Sequence, residues 1–263
     1  MNPIAFTILG FPIMWYGVLI GSGIMIALFL AQYTCKIKNL SYDTILNIAL
    51  ISLPIGIIGA RLYYVIFEWG TYKNNPIEIF NTRGGGLAIH GGLIFGLTAA
   101  LIYTYIKKVD FLSYIDAAAP CIIIAQSLGR WGNFFNSEAH GREVSIEFIK
   151  NFPVFIQKGM YIQEGSLPPA YYHPTFLYES FWNLIVFFIL MIILRKSNKK
   201  GIAIFSYIFL YSFGRFFIEA LRTDSLMLGP LRVAQFVSLV AMVISLAYIA
   251  YSYYSKHSYK KHH

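Results

Sequence analysis

The chain has 263 residues, of which 57% are hydrophobic, 17% aromatic and only 13% charged, where a soluble domain carries about 25% charged residues. Its formal net charge is +9, yet the lysines and arginines lie at the ends of apolar runs, with no basic face and no nucleic-acid motif, so a nucleic-acid partner is excluded. Cys35 and Cys121 are the two cysteines, far apart and each in or beside an apolar run, which speaks against a disulfide or metal framework.

A bilayer-crossing helix needs about 20 mostly apolar residues. The first such run is 11–33. No Lys or Arg precedes Lys36, so the charged start of a cleaved signal peptide is missing and this span is expected to stay in the mature protein. Further runs follow at 44–67, 87–106, 111–128, 176–194, 201–218 and 233–253. The fourth is short and holds Asp116 and Pro120. Between the fourth and fifth lies a polar insertion over 131–175 that contains Pro and Gly, poorly patterned across 143–170. The closing His262-His263 pair is given no role. The expected fold is an all-α integral membrane protein, with one polytopic domain over 1–263 and seven transmembrane helices.

Short loops rich in Lys and Arg mark the cytoplasmic side. With the N-terminus outside, eleven of the 21 basic residues fall in inside segments, from Lys36 and Lys38 through Lys260 and Lys261. Seven fall outside, three of them in the insertion, and Arg61, Arg130 and Arg215 lie in or at the edges of the spans. The expected topology is N-terminus outside, C-terminus cytoplasmic and insertion extracytoplasmic.

Charges inside the spans point to function, because each costs roughly 2.5–3.5 kcal/mol at a helix centre on insertion scales. Tyr16, Arg61, His90, Arg130, Glu179, Arg215 and Glu219 come from six spans and all fall in the outer halves. A shared polar cavity opening outward explains that better than independent accidents. In the sixth span Tyr211, Arg215, Glu219 and Arg222 follow i, i+4, i+8, i+11 spacing and share one face. A buried Arg–Glu pair with an interfacial Arg anchor accounts for Glu219 but poorly for Arg215, since one carboxylate cannot neutralise both arginines.

Two glycine-bearing segments add candidates. Arg83-Gly84-Gly85-Gly86-Leu87-Ala88-Ile89-His90 sets an imidazole just inside the third span, although a lone His is usually a structural group. Gly129-Arg130-Trp131-Gly132-Asn133-Phe134-Phe135-Asn136-Ser137-Glu138-Ala139-His140-Gly141 concentrates Arg, Asn and Glu beside glycines. Such a set suits an oxyanion or phosphate, which guanidinium grips with a permanently charged fork.

This last segment resembles the signature of the prolipoprotein diacylglyceryl transferases. Trp15-Tyr16-Gly17, Gly59-Ala60-Arg61, His90-Gly91-Gly92, His173-Pro174, Tyr178-Glu179 and the stretch from Tyr211 to Arg222 resemble the same family in the same order. The resemblance implies an enzyme of the bacterial cytoplasmic membrane, its site toward the extracytoplasmic leaflet, that needs no metal or organic cofactor. Its implied partners are phosphatidylglycerol, the lipid bilayer and the lipobox cysteine of a prolipoprotein signal peptide. The cysteine thiol attacks the glyceryl carbon bearing the phosphate ester, a thioether forms and glycerol-1-phosphate leaves. On this resemblance Arg130, Arg215 and His90 are the expected catalytic residues. Tyr16, Arg61, Asn133, Glu138, Gly141, Tyr211, Glu219 and Arg222 are the expected substrate-binding residues. A secondary transporter is the alternative from another class, but neither inverted repeats nor a midplane site is evident. A seven-helix receptor leaves the outer arginines unexplained. An intramembrane protease lacks both the G-x-S-x-G elbow and the H-E-x-x-H zinc motif.

Overall fold

The computed structural model describes residues 1–82 and 85–259. Arg83, Gly84, Lys260, Lys261 and the His262-His263 pair lie outside them. Among the described residues seven helices are long and apolar enough to cross a membrane. They are α1 (Trp15–Lys38), α2 (Tyr42–Phe67), α3 (Ile89–Lys107), α4 (Phe111–Phe135), α5 (Thr175–Lys196), α6 (Ile202–Glu219) and α7 (Val233–Tyr259). Large apolar side chains such as Phe29, Ile66, Ile106 and Phe188 are exposed along them, as a lipid-facing surface requires. The chain forms two compact units, Asn39–Tyr114 and Met1–Lys38 with Ile115–His263.

In the unit Asn39–Tyr114, Ser41 caps α2 by accepting from the Thr44 N–H. Helices α2 and α3 touch through glycines: a Cβ on Gly91 would lie 2.3 Å from the Gly59 carbonyl oxygen, and one on Gly56 would lie 3.2 Å from that of Gly92. A one-turn helix (Trp69–Tyr72) and a 3-10 turn (Pro76–Phe80) lie between them.

The larger unit opens with a hairpin, β1 (Ile4–Ile8) and β2 (Phe11–Met14), joined by Leu9 and Gly10 at positive φ. The apolar run expected to be helical from residue 11 therefore gives its first four residues to a strand, because the Leu9-Gly10 turn pairs them with 4–8. Helix α4 also departs from expectation, running past residue 128 to Phe135. Gly129 lies inside this helix, and a Cβ there would meet nothing within 4 Å. Arg130 and Asn133 stand on a helix, not on a loop.

The insertion folds on its own core. Strands β3 (Glu143–Val144), β4 (Tyr161–Ile162) and β5 (Ala170–Tyr172) form an antiparallel sheet of order β3-β5-β4. Phe134 and Phe176, from the ends of α4 and α5, pack with Ile149, Ile156, Met160, Ile162 and Tyr172 beneath it. A last hairpin, β6 (Met227–Leu228) and β7 (Leu231–Arg232), links α6 to α7. Below the insertion, Ala119, Ile123, Val186, Leu190 and Ile204 pack α4, α5 and α6 together. The α5–α6 approach is close, since a Cβ on Gly214 would come within 2.2 Å of the Trp182 indole. At the far end of this unit Asp116 of α4 accepts from the Gly201 N–H (2.6 Å) and the Ile204 N–H (2.8 Å). It caps α6 from another helix, since Gly201 has no side chain to do so.

Candidate active site

Glu179 is the only acidic side chain in α5, 4% exposed, and none of the residues one turn away in sequence is basic. Its partners therefore come from other helices. Arg130 Nε of α4 lies 2.5 Å from Glu179 Oε2, and Arg215 of α6 donates to Oε1. Arg215 Nη2 also lies 2.6 Å from Glu219 Oε2, one turn further along α6. Arg222 stands 3.8 Å from Glu179 and 4.0 Å from Glu219, and it forks onto Asp224 at 2.9 and 2.7 Å. Burial alone would raise the Asp224 carboxyl, but the Arg222 guanidinium outweighs it and holds it below the usual range. Arg130 completes the row by donating to the Tyr211 hydroxyl at 3.1 Å.

Four expected residues, Arg130, Tyr211, Arg215 and Glu219, thus meet in one ionic cluster, with Arg222 at its edge. Arg215 is paired with two carboxylates from two helices, so ion pairing accounts for more of it than one helix face indicated. Glu179 binds the cluster, yet the expected binding set omitted it; the signal was a carboxylate in an apolar helix with no neighbouring cation. Arg232 of β7 was also missed. It donates to the Glu219 carbonyl and, at 3.3 Å, to that of Arg222, where sequence shows only one more loop cation.

Around this cluster the signature segment is locked by close backbone approach. The Tyr16 ring occupies the place of a side chain at Gly132, where a Cβ would lie 2.5 Å from it. Trp15 stacks on Phe135 at 4.8 Å. After α4 ends, Ser137 and Ala139 turn the chain at positive φ, and Thr175 takes the Ala139 carbonyl at 2.5 Å. Gly141 then passes between His173, Leu221 and Thr175, where a Cβ would lie within 2.6–3.1 Å of each. Its N–H bonds the His173 carbonyl at 3.0 Å, and the next N–H bonds that of Leu221 at 2.9 Å. Asn133 and Glu138 sit on this segment, linked by a bond from the Glu138 N–H to the Asn133 carbonyl (3.0 Å). Neither side chain is hydrogen-bonded or ion-paired to the arginines. His173 Nδ1 lies 3.2 Å from the Tyr178 hydroxyl, and burial pushes its imidazole below the usual range.

Arg61 and His90 belong to the unit Asn39–Tyr114. His90 is exposed at the second residue of α3, its ring 6.1 Å from that of Tyr63. Arg61 is 7% exposed and donates to five main-chain carbonyls. Among the described residues no group of three His, Cys, Asp or Glu is placed to hold a metal ion.

Fold and cluster together define a helical multi-pass membrane protein with an arginine–carboxylate site built between its spans. The chain matches the family "prolipoprotein diacylglyceryl transferase" over residues 3–251. It is 59% identical over 249 residues to a phosphatidylglycerol–prolipoprotein diacylglyceryl transferase of Clostridium botulinum (strain Loch Maree / Type A3), covering 95% of this chain and 96% of that one. A Clostridium kluyveri (strain ATCC 8527 / DSM 555 / NBRC 12016 / NCIMB 10680 / K1) protein of the same name is 55% identical over 251 residues, again with 95% of this chain and 96% of the relative covered. The chain belongs to the prolipoprotein diacylglyceryl transferase family.

Proposed function

We propose that this chain transfers the diacylglyceryl group of phosphatidylglycerol to the lipobox cysteine of a prolipoprotein, at the extracytoplasmic leaflet of the bacterial cytoplasmic membrane. The observation that carries it is the Glu179-centred cluster, in which three arginines stand beside a buried carboxylate. The C–O bond between the glyceryl carbon and phosphate breaks as the C–S bond forms. The thiol loses its proton and the phosphate departs as glycerol-1-phosphate. A thiol of ordinary pKa ~8.5 is mostly protonated at neutral pH, so a positive field or a base promotes attack. The leaving phosphate gains charge, which preorganised cations stabilise in a water-poor site.

Arg130 and Arg215 are assigned to that phosphate, with Glu179 and Glu219 holding both guanidinium planes in place. Tyr16, Tyr211, Asn133, Glu138 and Arg222 position headgroup and peptide, and Gly141 keeps the signature segment against α5 and α6. His90 is assigned to the headgroup, with partial character as a base. Both compact units are read as one functional membrane domain. The direct test mixes purified protein, phosphatidylglycerol and a lipobox peptide and follows the peptide mass. A diacylglyceryl adduct that Arg215→Ala abolishes is the expected result. No adduct, or an adduct formed equally by that variant, rejects the assignment.

A further inference from the structure

A guanidinium has five N–H donors and no acceptor, and at Arg61 every one is engaged. Nε donates to the Ile79 carbonyl at 2.8 Å. Nη1 donates to those of Gly85 (3.1 Å) and Gly86 (3.0 Å). Nη2 donates to those of Glu78 (2.6 Å) and Asn81 (2.8 Å). The Tyr72 ring lies 5.1 Å from Cζ. No donor remains for a phosphate oxygen, and the charge is met by carbonyl dipoles in place of a carboxylate. Gly85 and Gly86 take φ of +94° and +76°, and a Cβ on Gly86 would lie 2.2 Å from Arg61 Nη1. The guanidinium fits only because residue 86 has no side chain.

This cage is the first of three anchors that follow one another along α2 and along the chain leading into α3. The Gly86 carbonyl is held by Arg61. Two residues on, the Ala88 N–H bonds the Ala60 carbonyl at 3.0 Å. Three further on, Gly91 meets the Gly59 carbonyl so closely that a Cβ would lie 2.3 Å from it. Between the second and third anchors α3 begins, and His90 is its second residue. We propose that Arg61 is a positioning residue: it clasps the main chain at 78–81 and 85–86 and so fixes where α3 starts and where the His90 imidazole stands. This rests on the assignment of His90 to the substrate. The clasp does not depend on that assignment.

Two measurements on the full-length protein in phosphatidylglycerol-containing nanodiscs separate them. Hydrogen exchange reads the clasp. Arg61→Lys retains one charge but cannot serve five carbonyls, so amides over 85–91 should exchange faster while those of α5 and α6 do not. Gly86→Ala, which pushes the guanidinium out, should give the same local pattern, and the double variant no more than the worse single one. Unchanged exchange over 85–91 in Arg61→Lys overturns the proposal. Kinetics read the consequence. A misplaced His90 should lower kcat on the order of 10- to 100-fold, with KM for phosphatidylglycerol changed by less than about twofold. Adding Arg61→Lys to His90→Gln should cost no further rate. A raised KM at unchanged kcat would make Arg61 a direct lipid contact, and additive losses would make it act apart from His90; either overturns the proposal. If His90→Gln turns over like the unaltered protein while 85–91 loses protection in Arg61→Lys, the assignment of His90 fails and the clasp stands.

Discussion

At the scale of single residues, Arg215 carries the sharpest expectation. It joins Glu179 and Glu219 through separate nitrogens, and Lys at this position is a point charge that serves one of them. Arg215→Lys should lower the transfer rate about 10²-fold, the usual loss when one preorganised donor is removed from a charge-stabilising site. A rate near that of the unaltered protein would reduce Arg215 to a strut between α5 and α6. His90 should behave differently, because it is exposed and lies outside the ionic cluster's compact unit. His90→Gln is expected to retain measurable transfer across pH 6 to 9, whereas Arg215→Ala retains almost none. Parallel rates in one lipid mixture check this, and an equally dead His90→Gln would move the imidazole into the chemical step. His173 offers a pH test. Burial places its folded-state pKa below the unfolded value of 6.5, so acid protonates the unfolded chain first. Stability should be full above about pH 6.5 and fall as pH drops below it. Melting temperatures in detergent should decline over that range, and His173→Asn should flatten the decline.

Among the elements, the spans were legible because length and apolarity alone define a membrane helix. Their ends were not. Residues 11–14 are as apolar as those that follow, and only pairing with 4–8 through the Leu9-Gly10 turn makes them a strand. The fourth apolar run ends at residue 128, yet Gly129 lies in open space and α4 continues to Phe135. The site showed the same division. Arg130, Arg215 and Glu219 stood out as charges in apolar surroundings, while the partners of Arg61 are backbone carbonyls, which a sequence does not mark. Two neighbouring glycines of α4 make that contrast testable. A Cβ on Gly129 meets nothing within 4 Å, whereas one on Gly132 would lie 2.5 Å from the Tyr16 ring. Gly129→Ala should leave activity and melting temperature nearly unchanged. Gly132→Ala must displace the Tyr16 ring and should cost about 1–3 kcal/mol, as overpacking does, with most of the activity. Equal tolerance at both positions would show that Tyr16 moves aside freely.

For the whole molecule, the Lys and Arg distribution predicts the sidedness on which the proposed reaction depends. Reporter fusions after residues 195–200 and beyond α7 should read cytoplasmic, and one within 131–175 should read external. A cytoplasmic reading for the insertion would put the Glu179 cluster on the wrong side for phosphatidylglycerol and secreted precursors.

The carboxylate of Asp116 also sets an order of events during synthesis. Helix α4 leaves the ribosome before α6, so this acid enters the bilayer before the Gly201 and Ile204 amides that satisfy it exist. Until they arrive, α4 carries a carboxylate without its amide donors in a medium that offers no water. Capture of α6 relieves α4 and the open end of α6 in one step, which favours their association over release of either into lipid. Asp116→Ala removes that incentive from both helices. It should therefore show itself first in biogenesis, as less protein recovered from the membrane and faster proteolysis of newly made chains, with turnover per surviving molecule close to normal.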